Sequence, residues 1–191
     1  MRILPILIIS FCISVASSHA QNSERSLSFT IDINAPVDTV WSRWSTVSGL
    51  KKFFAPSANL ELKTFGRLDV LFAPNQPAGQ RGAENNMILA YQEKQMITFT
   101  WDAPPTFPEV RKQRTTVIVR FISIDSKRTQ VNFTQIGFGT GSDWDAVYNY
   151  FGPAWGNLVL PNLKYSCEGG VIDFTNFPGN VPKGLPPAKR L

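Results

Sequence analysis

The chain has 191 residues, 19 Lys and Arg against 14 Asp and Glu, a net charge of +5 and a 43% share of hydrophobic residues. That length supports one domain with a sizeable core. The mild basic balance does not mark a nucleic-acid binder: the one dense basic run, RKQR at 111–114, lacks interleaved aromatics and reads as a solvated loop or strand start.

The N-terminal segment MRILPILIISFCISVASSHA has Arg2, an apolar run from Ile3 to Val15, then small residues, with Ser18 and Ala20 at the −3 and −1 positions of a signal-peptidase site. The run is short for a bilayer span. The expectation is a cleaved signal peptide over 1–20, an exported chain that is periplasmic or secreted, and no stable membrane insertion after cleavage. Cleavage would remove His19, the single histidine, and Cys12. It would leave no Ser-His-Asp or Cys-His nucleophile and no histidine metal site. Cys167 would remain alone, and burial is its expected state.

SLSFTIDI at 26–33 alternates, with Leu27, Phe29, Ile31 and Ile33 on one face, as a half-buried strand does. Pro36 then suits the first position of a helix. Val37, Val40, Trp41 and Trp44 form one apolar stripe on it. Thr46 can cap a second short helix carrying Val47, Leu50, Phe53 and Phe54, which Pro56 stops.

Three hairpins follow. They pair 58–62 with 67–72 around Gly66, 87–92 with 96–101, and 115–124 with 129–138. Between them lie two long loops, a glycine-rich one at 74–86 and a proline-rich one at 102–110. Neither matches a phosphate-binding pattern. Ser142 with Asp145 resembles a capping box. A helical stripe runs from Trp144 through Val147, Phe151, Trp155 and Val159 to about Tyr165. Pro153 and Pro161 predict that this long helix is broken. The tail after Gly170 is proline-rich and reads as extended, partly packed through Phe174 and Phe177, with a loose end.

This order is similar to the helix-grip fold of the SRPBCC superfamily, which includes START and birch-pollen-allergen-like proteins. Ile33, Ala35, Pro36, Val40 and Trp41 match its I-x-A-P-x-x-x-V-W motif. The segment 137–170 resembles its glycine-phenylalanine turn and final helix, with Trp155, Val159 and Leu163 carrying a slightly altered rhythm. The chain most resembles homologues of the C-terminal domain of the heat-shock protein 90 ATPase activator, over residues 27 to 168. The resemblance implies an α+β fold with a curved antiparallel sheet wrapped around a long C-terminal helix, two short helices after the first strand, and a cavity between sheet and helix. The resulting organisation is a signal peptide 1–20, a helix-grip domain 21–170 and a tail 171–191.

The superfamily supplies no fixed catalytic constellation, and fold alone names no activity. In the implied cavity, Phe72, Trp101, Phe121, Tyr148 and Trp155 are the expected apolar lining, and Gln135, on the face of Val131 and Phe133, the polar contact. The ligand expected there is small and hydrophobic or amphipathic. Two alternatives stay open. One is a cyclase- or hydrolase-like enzyme using carboxylates, with Asp69, Glu84 and Asp102 as candidates, although solvated surface roles are favoured for all three. The other is a chaperone-like protein-interaction module, but export would separate the chain from cytosolic chaperones. No catalytic residue, metal ligand or cofactor is assigned, and the protein partner is unspecified.

Overall fold

The computed structural model describes residues 24–175 and 182–191. The expected signal peptide and Phe177 lie outside the described residues.

Strand β1, Leu27–Ile33, buries Leu27, Phe29, Ile31 and Ile33, as its alternation requires. Pro36 accepts the first helical hydrogen bonds through its carbonyl, so it sits at the N-cap of α1 (Val37–Ser45), one position earlier than expected. Val40, Trp41 and Trp44 are buried on one side of α1. Thr46 caps α2 (Val47–Phe53): its hydroxyl accepts from the Gly49 N–H at 2.9 Å.

The remaining strands are β2 (Ser57–Leu60), β3 (Arg67–Leu71), β4 (Gly82–Gln92), β5 (Met96–Trp101), β6 (Thr115–Asp125), β7 (Arg128–Ile136) and β8 (Lys189–Arg190). They form one antiparallel sheet of eight strands in the order β2-β3-β4-β5-β6-β7-β1-β8. Register shifts in β3–β4, β4–β5 and β6–β7 mark the irregularities that bend strands. Strand β4 starts earlier than expected and takes in the last residues of the glycine-rich loop. The proline-rich loop contains a short helix, α3 (Pro108–Arg111).

The C-terminal helix runs from Ser142 to Cys167 through both prolines, where a break was expected. It comprises α4 (Ser142–Pro153), a π segment (Ala154–Val159) and α5 (Leu160–Cys167). The π turn explains the tolerance of Pro161. The Leu160 N–H bonds the Trp155 carbonyl, five residues back, and the next residue, Pro161, has no N–H to offer. The Gly156 carbonyl instead accepts from the Ala188 N–H at 2.8 Å. The tail therefore fills a hydrogen bond that the proline cannot. Gly156 also permits close approach to β1: a Cβ there would lie 2.7 Å from Phe29. No capping box forms at Ser142, because Gly141 occupies the N-cap without a side-chain bond.

The chain's end is not loose. Strand β8 pairs with Phe29 and Thr30 of β1, and the Leu191 N–H donates to the Ser28 carbonyl. Among the described residues no helix is long and apolar enough to cross a membrane.

Candidate functional site

Where the C-terminal helix crosses the end of β5, the core leaves a cavity of about 90 Å³. Six rings line it, among them Phe54 after α2, Phe72 after β3, Trp101 closing β5, Phe151 in α4 and Trp155 in the π segment. Phe54 stacks on Trp101 at 5.5 Å between centroids, and Trp155 meets Trp101 at 5.3 Å and Phe54 at 5.6 Å. Half-exposed Tyr150 also borders the cavity. These residues come from separate elements, and the helix brings them together by carrying Phe151 and Trp155 on one face, four residues apart.

A neutral hydrogen-bond chain fixes the two tryptophans. Trp155 Nε1 donates to Gln135 Oε1 at 2.8 Å, Gln135 Nε2 donates to Thr115 Oγ1 at 2.8 Å, and Thr115 Oγ1 donates to the Trp101 carbonyl at 2.9 Å. Gln135, Thr115 and Trp155 are all buried. The helix, β7, β6 and β5 are thus pinned together by side chains whose polar groups have partners.

On the other side of Trp101 lies a charged cluster. Asp102 Oδ1 accepts from Asn86 Nδ2 at 3.0 Å, while Oδ2 faces Arg111 Nη1 at 2.8 Å and the Glu84 N–H at 3.3 Å. Arg111 Nη2 donates to the Gly82 carbonyl at 2.6 Å and lies 3.6 Å from Glu84 Oε2; Nη1 also donates to the Ala103 carbonyl. Arg81 closes the other end through Nε and Nη2 on Glu84 Oε1, at 2.7 and 2.6 Å. Asp102 and Arg111 border the cavity.

The two carboxylates respond to this setting in opposite directions. Burial pushes Asp102 above its ordinary value, against the bonds from Asn86, Arg111 and the Glu84 N–H. Burial also pulls Glu84 upward, but the Arg81 side-chain and backbone hydrogen bonds outweigh it and hold Glu84 below its ordinary value. Cys167, half-buried, is pushed up to about 11 by burial and stays a neutral thiol near pH 7. Among the described residues no group of three or more His, Cys, Asp or Glu is placed to hold a metal.

Of the residues expected from sequence, Phe72, Trp101 and Trp155 lie on the cavity wall, and Gln135 stands behind it as the partner of Trp155. Phe121 does not reach it. Trp101 pairs with Thr115 across the sheet, and Phe121 lies six residues further along β6, a distance of roughly 20 Å. There it packs edge-on against Trp41 at 5.5 Å. Tyr148 precedes Trp155 by seven residues, so it shares a helix face but sits roughly 10 Å away along the axis. It packs on Phe138 at 5.1 Å, donates to the Ser26 carbonyl and accepts from Arg190 at 2.7 Å, which ties down the tail.

Asp69, Glu84 and Asp102 are buried rather than solvated, and Arg111 of the RKQR run is partly buried beside Asp102 and Glu84. Asp69 stands apart from the cavity, held by Arg67 at 2.6 Å, Asn59 at 3.0 Å and the Asn85 N–H at 2.8 Å. A signal for Glu84 was present: Glu84, Asn86 and Ile88 fall on one face by period two, once β4 is extended back from Met87. Phe54 was legible as an apolar position but not as the ring that bridges α2 to both tryptophans.

The site offers an aromatic surface with one carboxylate at its edge, already matched by Arg111. No curated protein matches this chain. Similar solved structures include the Aha1 dimer from Colwellia psychrerythraea, 18% identical, covering 76% of this chain and 98% of that one at a TM-score of 0.60. An HSP90 activator from Plasmodium falciparum is 17% identical, covering 72% and 92%, with a TM-score of 0.56. CalU16 from Micromonospora echinospora is 19% identical, covering 74% and 73%, with a TM-score of 0.55. At such identities these likenesses show the fold alone. In sequence, residues 34–163 match the family model described as Activator of Hsp90 ATPase homolog 1-like protein. With that match spanning most of the domain, from the end of β1 into α5, the chain belongs to the Activator of Hsp90 ATPase homolog 1-like family within the SRPBCC superfamily.

Proposed function

We propose that this chain is an exported binding protein that holds a small hydrophobic or amphipathic molecule between its sheet and its C-terminal helix. The observation that carries this reading is a cavity of about 90 Å³ left among six aromatic rings. The cavity is partly open to solvent, so an apolar group can reach these rings from outside. Here both tryptophans on the wall are restrained, through the Trp155 side chain and the Trp101 backbone, so the space does not simply collapse. An apolar group entering it would replace poorly held water with ring contacts. The apolar N-terminal segment with its small-residue ending supports export.

Native mass spectrometry of residues 21–191, purified from the exported form, tests the reading. An added mass that denaturation releases is expected, and the released mass would identify the ligand. A bare mass, unchanged after incubation with a lipid and metabolite extract, would overturn it. N-terminal sequencing of the same material is expected to start at Gln21, and an intact N-terminus would refute cleavage there.

A further inference from the structure

The cavity of about 90 Å³ is smaller than the engineered space of about 150 Å³ that accepts benzene. It is also well below the roughly 300–1,000 Å³ of an ordinary ligand pocket. A ligand of ordinary size seated there would extend beyond it. The ring of Phe72 borders a second, open pocket of about 480 Å³, lined by Asn75, Gln76, Phe174 and Thr175 among others. Phe72 thus stands between an apolar inner chamber and a polar, uncharged outer one.

Phe54 and Gly82 are among the neighbours that set the position of this ring. Phe54 meets it edge-on at 6.0 Å. Gly82 gives it a seat: a Cβ there would lie 2.8 Å from Phe72 Cδ2. Phe72 follows the last residue of β3, and the next residue, Ala73, donates its N–H to the Arg81 carbonyl at the base of the 74–80 loop. The side chain projects from the end of a strand, where a rotamer change needs no change in sheet pairing.

We infer that the two chambers are halves of one ligand site, with Phe72 as the movable partition. This inference rests on the binding function proposed above. The ligand class is an apolar group no larger than a single ring, for the inner chamber, joined to an uncharged hydrogen-bonding chain that lies against Asn75, Gln76 and Thr175. Charged tails are disfavoured, because among the described residues the outer lining offers amides and a hydroxyl but no ionic partner.

Two probes separate the halves: benzyl alcohol, and the same ring carrying an uncharged tri(ethylene glycol) chain. Binding is read by calorimetry and by the emission of the wall tryptophans. The tailed probe is expected to bind at least about tenfold more tightly than benzyl alcohol. Joint Asn75→Ala and Gln76→Ala replacement in the exposed loop should remove that advantage and leave benzyl alcohol binding unchanged. Phe72→Ala should speed entry of the tailed probe at least about tenfold, and Phe72→Trp should slow it, with circular dichroism checking that each variant is folded. Equal affinity for the two probes, with entry insensitive to Phe72, would overturn the bipartite site while leaving the inner cavity as a binding site. Failure of both probes to bind either the unaltered chain or folded Phe72→Ala would overturn this inference and count against the binding function itself.

Discussion

On one side of Trp101 the polar groups are neutral and strung in a line; on the other they are charged and crowded. The line from Trp155 through Gln135 and Thr115 to the Trp101 carbonyl uses three hydrogen bonds of 2.8 to 2.9 Å. The cluster that begins at Asp102 joins two carboxylates to Arg111 and Arg81 and enlists the Gly82 and Ala103 carbonyls. Both assemblies hold the cavity wall in place. They do so at different risk: a neutral chain that loses a link strands one dipole, whereas an ionic cluster that loses a link strands a buried charge. The ionic side also anchors α3 and the proline-rich loop onto the start of β4, a task that needs the long reach and several donors of arginine.

Removing Arg111 should therefore produce the largest effect. In Arg111→Met, Asp102 loses its closest cation and Glu84 one of two, and unfolding in urea should show a loss of about 3–5 kcal/mol. Pairing it with Asp102→Leu should recover much of that loss, because the stranded charge is gone. If the double variant is no more stable than Arg111→Met, packing of the guanidinium rather than charge pairing dominates the site. On the neutral side, Gln135→Leu strands the Trp155 N–H and should cost about 1–3 kcal/mol. Adding Trp155→Phe should then cost less than it does in the unaltered chain, since no donor remains to be satisfied. A Gln135→Leu loss as large as that of Arg111→Met would erase the distinction between the two assemblies.

These assemblies also divide what the sequence discloses from what it hides. The strand faces were legible because each is a local period-two pattern: Val131, Phe133 and Gln135 read as one buried face, and they are. The Thr46 cap was legible for the same reason, since its bond spans three residues. The charged cluster was not. Asp102 and the Glu84 N–H are separated by eighteen positions, and the residues between form a hairpin whose register places them together. Read locally, Glu84 sits in a polar loop and Arg111 in a basic run, and both look solvated. The continuous C-terminal helix was hidden for a related reason. Two interior prolines argue locally for a break, but a π turn removes the need for one proline's N–H and a residue from the distant tail supplies the hydrogen bond. Three of the expected cavity residues reach the cavity wall, while Phe121 and Tyr148 show that sharing a face does not mean sharing a place along it.

The smallest expected effect separates the assemblies by pH. The neutral chain has no titrating member, so Gln135→Leu should shift the curve of stability against pH without changing its shape. The charged cluster holds two carboxylates whose pKa values shift in opposite directions. Asp102 is raised above 3.8, so its contribution is complete below that value and is lost as pH rises through its raised pKa. Glu84 is lowered below 4.5, so its contribution is complete above that value and is lost as pH falls through its lowered pKa. In the unaltered chain the two partly cancel. Asp102→Asn removes the falling component, and Arg111, left with Glu84 as its one carboxylate, should hold Glu84 lower still. Both changes act in the same direction, the loss of the Asp102 component from 3.8 upward and the lower Glu84 from 4.5 downward: stability should climb more steeply with rising pH in the variant than in the unaltered chain. Urea unfolding at a series of pH values checks this. A shallower climb in Asp102→Asn would mean that Asp102 is stabilised as the anion in the folded chain, and that its ion pair with Arg111 outweighs the cost of burial.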